Sequence, residues 1–244
     1  MLAIIGGTGL TQLANLDVSR REAVRTPYGE PSGPLTFGSI RGVPMIFLAR
    51  HGYGHTIAPH QVNYRANLWA LKEQGVREIA SVVSVGGIRR DLGPGKIVVP
   101  HQIIDYTWGR ASTFFENEAP VKHIDFTEPY TPALRARLLA AAGKSGESAL
   151  DGAVYAATQG PRLETAAEID RMEREGADIV GMTGMPEAGL AREIDLGYAA
   201  IAVVVNHAAG RGDSARGIQM QRIEKILDET MGRVRKIIDS LVTA

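Results

Sequence analysis

The chain has 244 residues, enough to bury a sizeable core as one α/β domain, and its 27 basic residues cancel its 27 acidic ones. With no broad positive field, neither nucleic acid nor an anionic membrane is an expected partner, and any anion site must be local, for small ligands. The lack of cysteine excludes disulfides, thiolate metal sites and cysteine nucleophiles, and makes the cytoplasm the expected compartment.

In chain order, Met1-Leu2-Ala3-Ile4-Ile5 lacks the basic start and long apolar stretch of a signal peptide, and no later run is long enough to span a bilayer. Apolar runs predict buried strands at 3–5, 44–49, 79–85, 96–99, 153–158, 178–182 and 198–206. Helical patterns cover 61–74, 132–142, 164–175, 186–193 and 219–241, with Pro132 and Pro186 suited to first-turn positions. The alternation predicts an α/β fold, one domain over 1–244. In the last helix Ile223, Ile226, Leu227, Met231, Val234, Ile237, Ile238 and Leu241 form a stripe for packing on the sheet. Two loops stand out: 106–128, dotted with aromatics, and 208–217, whose glycines predict flexibility and whose Arg211 and Arg216 are expected to be solvated.

Several predicted strands end in groups able to do chemistry. Gly6-Gly7-Thr8-Gly9 permits close backbone approach and offers a hydroxyl and amides to an anion, although a plain tight turn explains it as well. A dinucleotide fold is the rival there, but the spacing is not G-x-G-x-x-G and no acid-terminated second strand follows. Leu48-Ala49-Arg50-His51-Gly52 sets a cation and an imidazole beside a permissive glycine, a grip for a tetrahedral anion or simply a surface arginine. His51, His55 and His60 do not read as a metal site, because Gly52, Gly54 and Pro59 prevent a shared helical face. Ser84-Val85-Gly86-Gly87 ends a further strand. Thr158-Gln159-Gly160-Pro161-Arg162-Leu163-Glu164-Thr165 delivers Glu164 to a helix start, where a first-turn charge is its ordinary role. Gly181-Met182-Thr183 and Val203-Val204-Val205-Asn206-His207 are polar strand ends, and Asn206 can serve there as a terminator.

Taken together, these motifs resemble, in order and approximate spacing over nearly the whole chain, the purine nucleoside phosphorylase and methylthioadenosine phosphorylase family, most closely its bacterial methylthioinosine phosphorylase branch; the stretch 60–72 is similar too. The resemblance implies a central mixed β-sheet flanked by helices and a phosphate site of Thr8, Arg50, His51, Ser84 and Thr183, with Met182 against the ribose. It implies no cofactor, inorganic phosphate being a co-substrate. Val83 departs from the threonine that methylthioadenosine phosphorylases carry, removing one phosphate donor; Ser84, in place of their alanine, offers partial compensation.

By the same resemblance Leu163, Glu164 and Asn206 meet the base. Where enzymes for 6-aminopurines carry aspartate, Asn206 can accept from a protonated N7 and donate to a 6-oxygen, and Glu164 suits the N1 proton of a 6-oxopurine. Met220 and Ile223, one helical turn apart, match the lining of a methylthio pocket, although both also fit the core stripe. His123 matches a residue supplied by a neighbouring subunit, which implies a homotrimer or a dimer of trimers. The expected reaction is phosphorolysis of S-methyl-5′-thioinosine to hypoxanthine and 5-methylthioribose 1-phosphate, with Asn206, Glu164 and His51 as the catalytic set. Rival expectations are an inosine/guanosine or methylthioadenosine phosphorylase, a non-catalytic nucleoside-binding module, and, more remotely, a dinucleotide-dependent oxidoreductase.

Overall fold

A computed structural model describes residues 1–243. The elements in chain order are β1 (Leu2–Gly6), β2 (Asp17–Glu22), β3 (Leu35–Ile40), β4 (Val43–Ala49), α1 (Tyr64–Glu73), β5 (Glu78–Gly87), β6 (Ile97–Val99), β7 (Gln102–Asp105), α2 (Pro132–Lys144), β8 (Leu150–Asp151), β9 (Val154–Ala157), α3 (Ala166–Arg174), β10 (Ile179–Gly181), α4 (Gly184–Glu193), β11 (Gly197–His207) and α5 (Met220–Val242). All eleven strands join one mixed sheet in the order β2-β3-β4-β1-β5-β10-β9-β7; β11 also pairs with β5 and with β6, and β6 with β8.

Each predicted strand occurs, and four further strands join them: β2, β3, β7 and β8. β2 lacks the signals that betray a buried strand, β7 and β8 are short, and the apolar pattern of β3 is interrupted by Gly38 and Ser39. All six residues of Asp17-Val18-Ser19-Arg20-Arg21-Glu22 are exposed, because β2 is an edge strand paired only with β3. Its close approach depends on Gly38 in β3, where a Cβ would lie 2.4 Å from the Asp17 carbonyl.

Local chemistry fixes the helix starts. Asn63 accepts a hydrogen bond from the Ala66 amide, so α1 begins at Tyr64 rather than at 61. Thr165 caps α3 through a reciprocal box: its hydroxyl accepts from the Glu168 amide at 3.1 Å, and the Glu168 carboxylate accepts from the Thr165 amide at 2.7 Å. The acidic residue of the first turn is therefore Glu168. Glu164 lies ahead of the cap, which corrects the expectation that it opens the helix and frees its carboxylate for another role.

Both faces of the central strands are buried, and side chains alternate between two cores. From β5 and β11, Ile79, Val83, Val85, Ala200 and Val204 join the core that includes Leu68 and Leu71 of α1 and Leu190 of α4. Ala80, Val82, Ala199, Ile201 and Val203 face the opposite core, with Leu134 and Leu138 of α2 and the α5 stripe of Leu227, Met231, Val234, Ile237, Ile238 and Leu241. The parallel register of β4, β1, β5 and β11 brings their carboxyl ends to one rim of the sheet. Such a rim is where open α/β sheets place ligands.

Candidate active site

At that rim lies a cavity of about 490 Å³, the size of a small-ligand site. Its lining includes Thr8 after β1, Arg50 and His51 after β4, Ser84 in β5, Met182 and Thr183 after β10, Asn206 in β11, Leu163 and Glu164 before α3, and Met220 and Ile223 in α5. The structure thus brings together every site residue expected from the sequence except His123, which is exposed between β7 and α2 and outside the cavity lining of its own chain.

The floor at the Arg50 end is a buried ion pair. Arg50 is fully buried and Glu187 of α4 nearly so, with Arg50 Nε donating to Glu187 Oε2 at 2.6 Å and Nη2 donating to Oε1 at 2.8 Å. Nη2 also donates to Ser81 Oγ at 2.6 Å and Nη1 to the Val82 carbonyl at 3.1 Å, while Ser81 and Tyr198 donate to Glu187 Oε1. Four of the five guanidinium N–H groups are therefore committed to the protein, and one remains. Burial opposes charge on both partners, yet their attraction outweighs it: Arg50 has a raised pKa and Glu187 lies below the ordinary carboxylate value. Arg50 is neither a surface arginine nor an uncompensated cation.

His51 is nearly buried, and its Nδ1 lies 2.8 Å from the Ile57 carbonyl, which holds the ring at the cavity wall. Burial, reinforced by the adjacent charge on Arg50, lowers its pKa to about 4, so the imidazole is neutral at neutral pH. Ser84 Oγ donates to the Thr8 carbonyl at 3.3 Å, joining the β1 and β5 strand ends. Val83, where the resemblance implies a lost donor, is buried among apolar residues and also touches the cavity.

Asn206 owes its position to a bulge: β11 runs in register with β5 to Val204, then skips a residue so that Asn206 pairs with Gly86. Its Nδ2 donates to the His207 carbonyl at 2.6 Å, leaving Oδ1 and one N–H. Glu164 Oε1 accepts from the Thr158 hydroxyl at 2.6 Å, which orients the carboxylate and leaves Oε2 without a side-chain donor. Ile223 is half-buried and packs against the α5 core, whereas Met220 is 60% exposed at the first position of α5. Met220 therefore belongs to the cavity and not to the core stripe.

Two structurally important residues escaped the sequence reading. Glu187 sits in a short apolar helix pattern, where an acid demands a partner, and that demand was its only signal. Arg110, in the loop 106–128, donates to the carbonyls of Met182 (2.8 Å), Met185 (2.6 Å), Thr158 (3.2 Å) and Gln159 (2.8 Å), and to Gln159 Oε1 (3.1 Å). It ties the Met182 turn to the Glu164 segment, two stretches remote in sequence from it.

The loop 208–217 also differs from expectation. Arg211 is not solvated but pairs with Asp170 at 2.8 Å and Glu173 at 2.7 Å on α3, and Asp213 bridges His207 and Arg222. Its glycines permit the path, while ion pairs to α3 and α5 hold it. Arg216 is exposed, as expected.

A mixed sheet whose rim cavity joins hydroxyls and a buried arginine to an amide, a carboxylate and an apolar wall defines an α/β enzyme acting on a small polar molecule. The chain belongs to the phosphorylase superfamily, which matches residues 1–243, and it is a phosphorylase of the pentosyltransferase type. It is 53% identical over 243 residues to a probable S-methyl-5′-thioinosine phosphorylase of Pseudomonas syringae pv. tomato, covering 99% of this chain and 98% of the relative. It is 42% identical to the 6-oxopurine nucleoside phosphorylase of Pyrococcus furiosus, covering 97% and 90% of the two chains. Among solved structures, methylthioadenosine phosphorylase from Schistosoma mansoni in complex with adenine superposes with a TM-score of 0.94 at 32% identity, covering 99% of this chain and 90% of that one.

Proposed function

We propose that this chain catalyses phosphorolysis of a 6-oxopurine nucleoside with an apolar 5′ substituent, foremost S-methyl-5′-thioinosine, yielding hypoxanthine and 5-methylthioribose 1-phosphate. The observation that carries the reading is that one cavity joins Thr8, Arg50, His51, Ser84 and Thr183 to an amide and a carboxylate, with Met182, Met220 and Ile223 forming apolar wall. The names borne by relatives of 53% and 42% identity support it.

Phosphate is already a nucleophile and needs positioning more than activation. Held by the hydroxyls, the strand-end amides and the remaining Arg50 N–H, it attacks C1′ as the glycosidic bond breaks, and its charge favours the cationic sugar. The balance closes without an added acid: the electron pair of the broken bond leaves with the purine, a phosphate oxygen forms the new C1′–O bond, and the proton lost by hydrogen phosphate equals the one the free purine gains.

Asn206 Oδ1 accepts from N7 as it takes up that proton, while the remaining Asn206 N–H donates to O6 and Glu164 Oε2 accepts from N1–H. An amide can be turned over, so Glu164 is the second criterion that makes the preference secure. A 6-aminopurine presents a lone pair at N1 and a donor at position 6, two mismatches of about 1–3 kcal/mol each, or on the order of a hundredfold together. Met220 and Ile223 receive the 5′ group, whose burial helps hold the sugar in its reactive pose. His123 of a neighbouring subunit closes this pocket in a homotrimer or dimer of trimers, each chain acting as one domain in the cytoplasm, with no cofactor or metal.

The test is kcat/KM for base release from methylthioinosine, inosine and methylthioadenosine, with and without phosphate. Preference for methylthioinosine that vanishes without phosphate is the expected result. Preference for methylthioadenosine would overturn the base contacts, preference for inosine the apolar 5′ pocket, and binding without turnover would make this a nucleoside-binding module.

A further inference from the structure

On the phosphorolysis reading above, the His51 geometry bears on which form of phosphate the site takes. The Ile57 oxygen 2.8 Å from His51 Nδ1 is a backbone carbonyl, which can only accept. Nδ1 must therefore carry the ring hydrogen, and in a neutral imidazole the other nitrogen, Nε2, then has none. The ring cannot turn over without setting a carbon or a lone pair against that carbonyl. Its surroundings oppose a second proton: Arg50 is the neighbouring residue, and the His55 ring lies 4.7 Å away, centroid to centroid. His51 lines the cavity, and among the described residues Nε2 has no hydrogen-bond partner within the protein.

The rest of the cradle adds little net charge. Arg50 is the one arginine or lysine lining the cavity among the described residues, and its charge is balanced by Glu187, Glu164 being the only other fixed charge in that lining. An oxyanion entering here meets one free guanidinium N–H, the strand-end amides, hydroxyls that can donate or accept, and a bare imidazole nitrogen. An unprotonated oxygen opposite that nitrogen sets two lone pairs against each other, whereas a hydroxyl there forms a hydrogen bond.

We infer that His51 serves the phosphate site as a hydrogen-bond acceptor, through Nε2, so that the site selects an oxyanion bearing a hydroxyl and discriminates against one that bears none. Hydrogen phosphate and dihydrogen phosphate carry the required proton at neutral pH, as does arsenate; sulfate, of nearly the same size and shape, does not. A site that simply gathered positive charge would take sulfate and phosphate alike. Refusal of a fully deprotonated anion is a discrimination by one hydrogen bond, for which a ratio of about ten- to a hundredfold is expected.

The experiment uses the full chain at neutral pH and constant ionic strength. The inhibition constant of sulfate, competing with phosphate, is compared with the dissociation constant of phosphate; arsenate is tested as a replacement for phosphate in base release. The expected outcome is sulfate weaker by about ten- to a hundredfold, with arsenate supporting turnover. In His51→Gln the amide NH₂ can donate into the cavity, and the sulfate-to-phosphate ratio should move toward unity. Sulfate binding as tightly as phosphate to the wild type would overturn the inference, and that comparison stands even if the variant misfolds.

Nitrogen-15 NMR of labelled histidine reads the tautomer directly, with His51 assigned by its loss in His51→Gln. An unprotonated Nε2 whose resonance shifts on phosphate addition is expected, and a protonated Nε2 in the phosphate complex would overturn the proposal. Failure of the functional reading is separable. Phosphate bound opposite an unprotonated Nε2, but without base release, leaves this inference standing and removes the function; phosphorolysis with an Nε2–H tautomer does the reverse.

Discussion

Glu187→Gln tests the floor of the site most sharply. The substitution keeps size and one carbonyl oxygen, able to hold Ser81, Tyr198 and one Arg50 N–H, but places an NH₂ group where Oε2 accepts from Arg50 Nε at 2.6 Å. Arg50, fully buried, is then left with an uncompensated charge and a donor facing a donor. Removing one partner of a buried pair costs about 3–5 kcal/mol. At about 2–4 °C per kcal/mol for a chain of this size, the melting temperature should fall by roughly 6–20 °C.

Calorimetry, with urea titration alongside, measures that loss. The double replacement Arg50→Met with Glu187→Leu removes both charges and should regain part of the stability, offset by the partners that Ser81, Tyr198 and the Val82 carbonyl then lose. It should not regain phosphate binding. The pH dependence adds a signed check: the Glu187 pKa is depressed in the fold, so its contribution is complete above the unfolded glutamate value and is lost as pH falls through the folded one. The difference between wild type and Glu187→Gln should therefore shrink in acid. A loss below about 1 kcal/mol at neutral pH would refute the assignment of Arg50 and Glu187 as a mutually dependent pair.

Asn206→Asp should move the kcat/KM ratio toward 6-aminopurine nucleosides and Glu164→Ala should weaken discrimination, each by about ten- to a hundredfold; unchanged ratios in both would remove the base-site assignment. Met220→His should raise kcat/KM for inosine relative to methylthioinosine, and no rise would mean that Met220 does not meet the 5′ group. Arg110→Lys replaces a planar five-donor fork by a point charge, and should lower kcat/KM by roughly a hundredfold through misplacement of the Met182 and Glu164 segments. Near-wild-type kinetics in a folded Arg110→Lys would show that the fork is dispensable. Finally, between pH 6.5 and about 4 the unfolded chain takes up a proton that buried His51 refuses, so stability should fall as pH falls through that window. His51→Gln should flatten that part of the profile, and an unaltered slope by chemical denaturation would contradict the depressed pKa.

Periodicity and local chemistry were sufficient for much of the architecture. The seven apolar strands and the α5 stripe are written in side chains whose burial is their main energetic contribution, so their pattern survives translation into structure. Edge strand β2 could not be read, because its residues are all exposed and only pairing with β3 makes it a strand. The same division runs through the site. Thr8, Arg50, Thr183 and Asn206 stand at or just past strand ends and Ser84 three residues before one, and a break in apolar pattern marks them. Their roles, however, depend on partners far away in the chain. Arg50 meets a glutamate 137 residues on, and Arg110 binds carbonyls 48 to 75 residues away. A bulge in β11, invisible in Val-Val-Val-Asn-His, sets Asn206 in line with Gly86. The sequence by itself determined an α/β sheet with hydroxyl, cationic and amide side chains at or near the ends of its strands. Tertiary structure alone decided that Arg50 is neutralised, that His51 turns a lone pair to the cavity and that Glu164 stands ahead of its helix, because charge, tautomer and orientation are set by what lies across space.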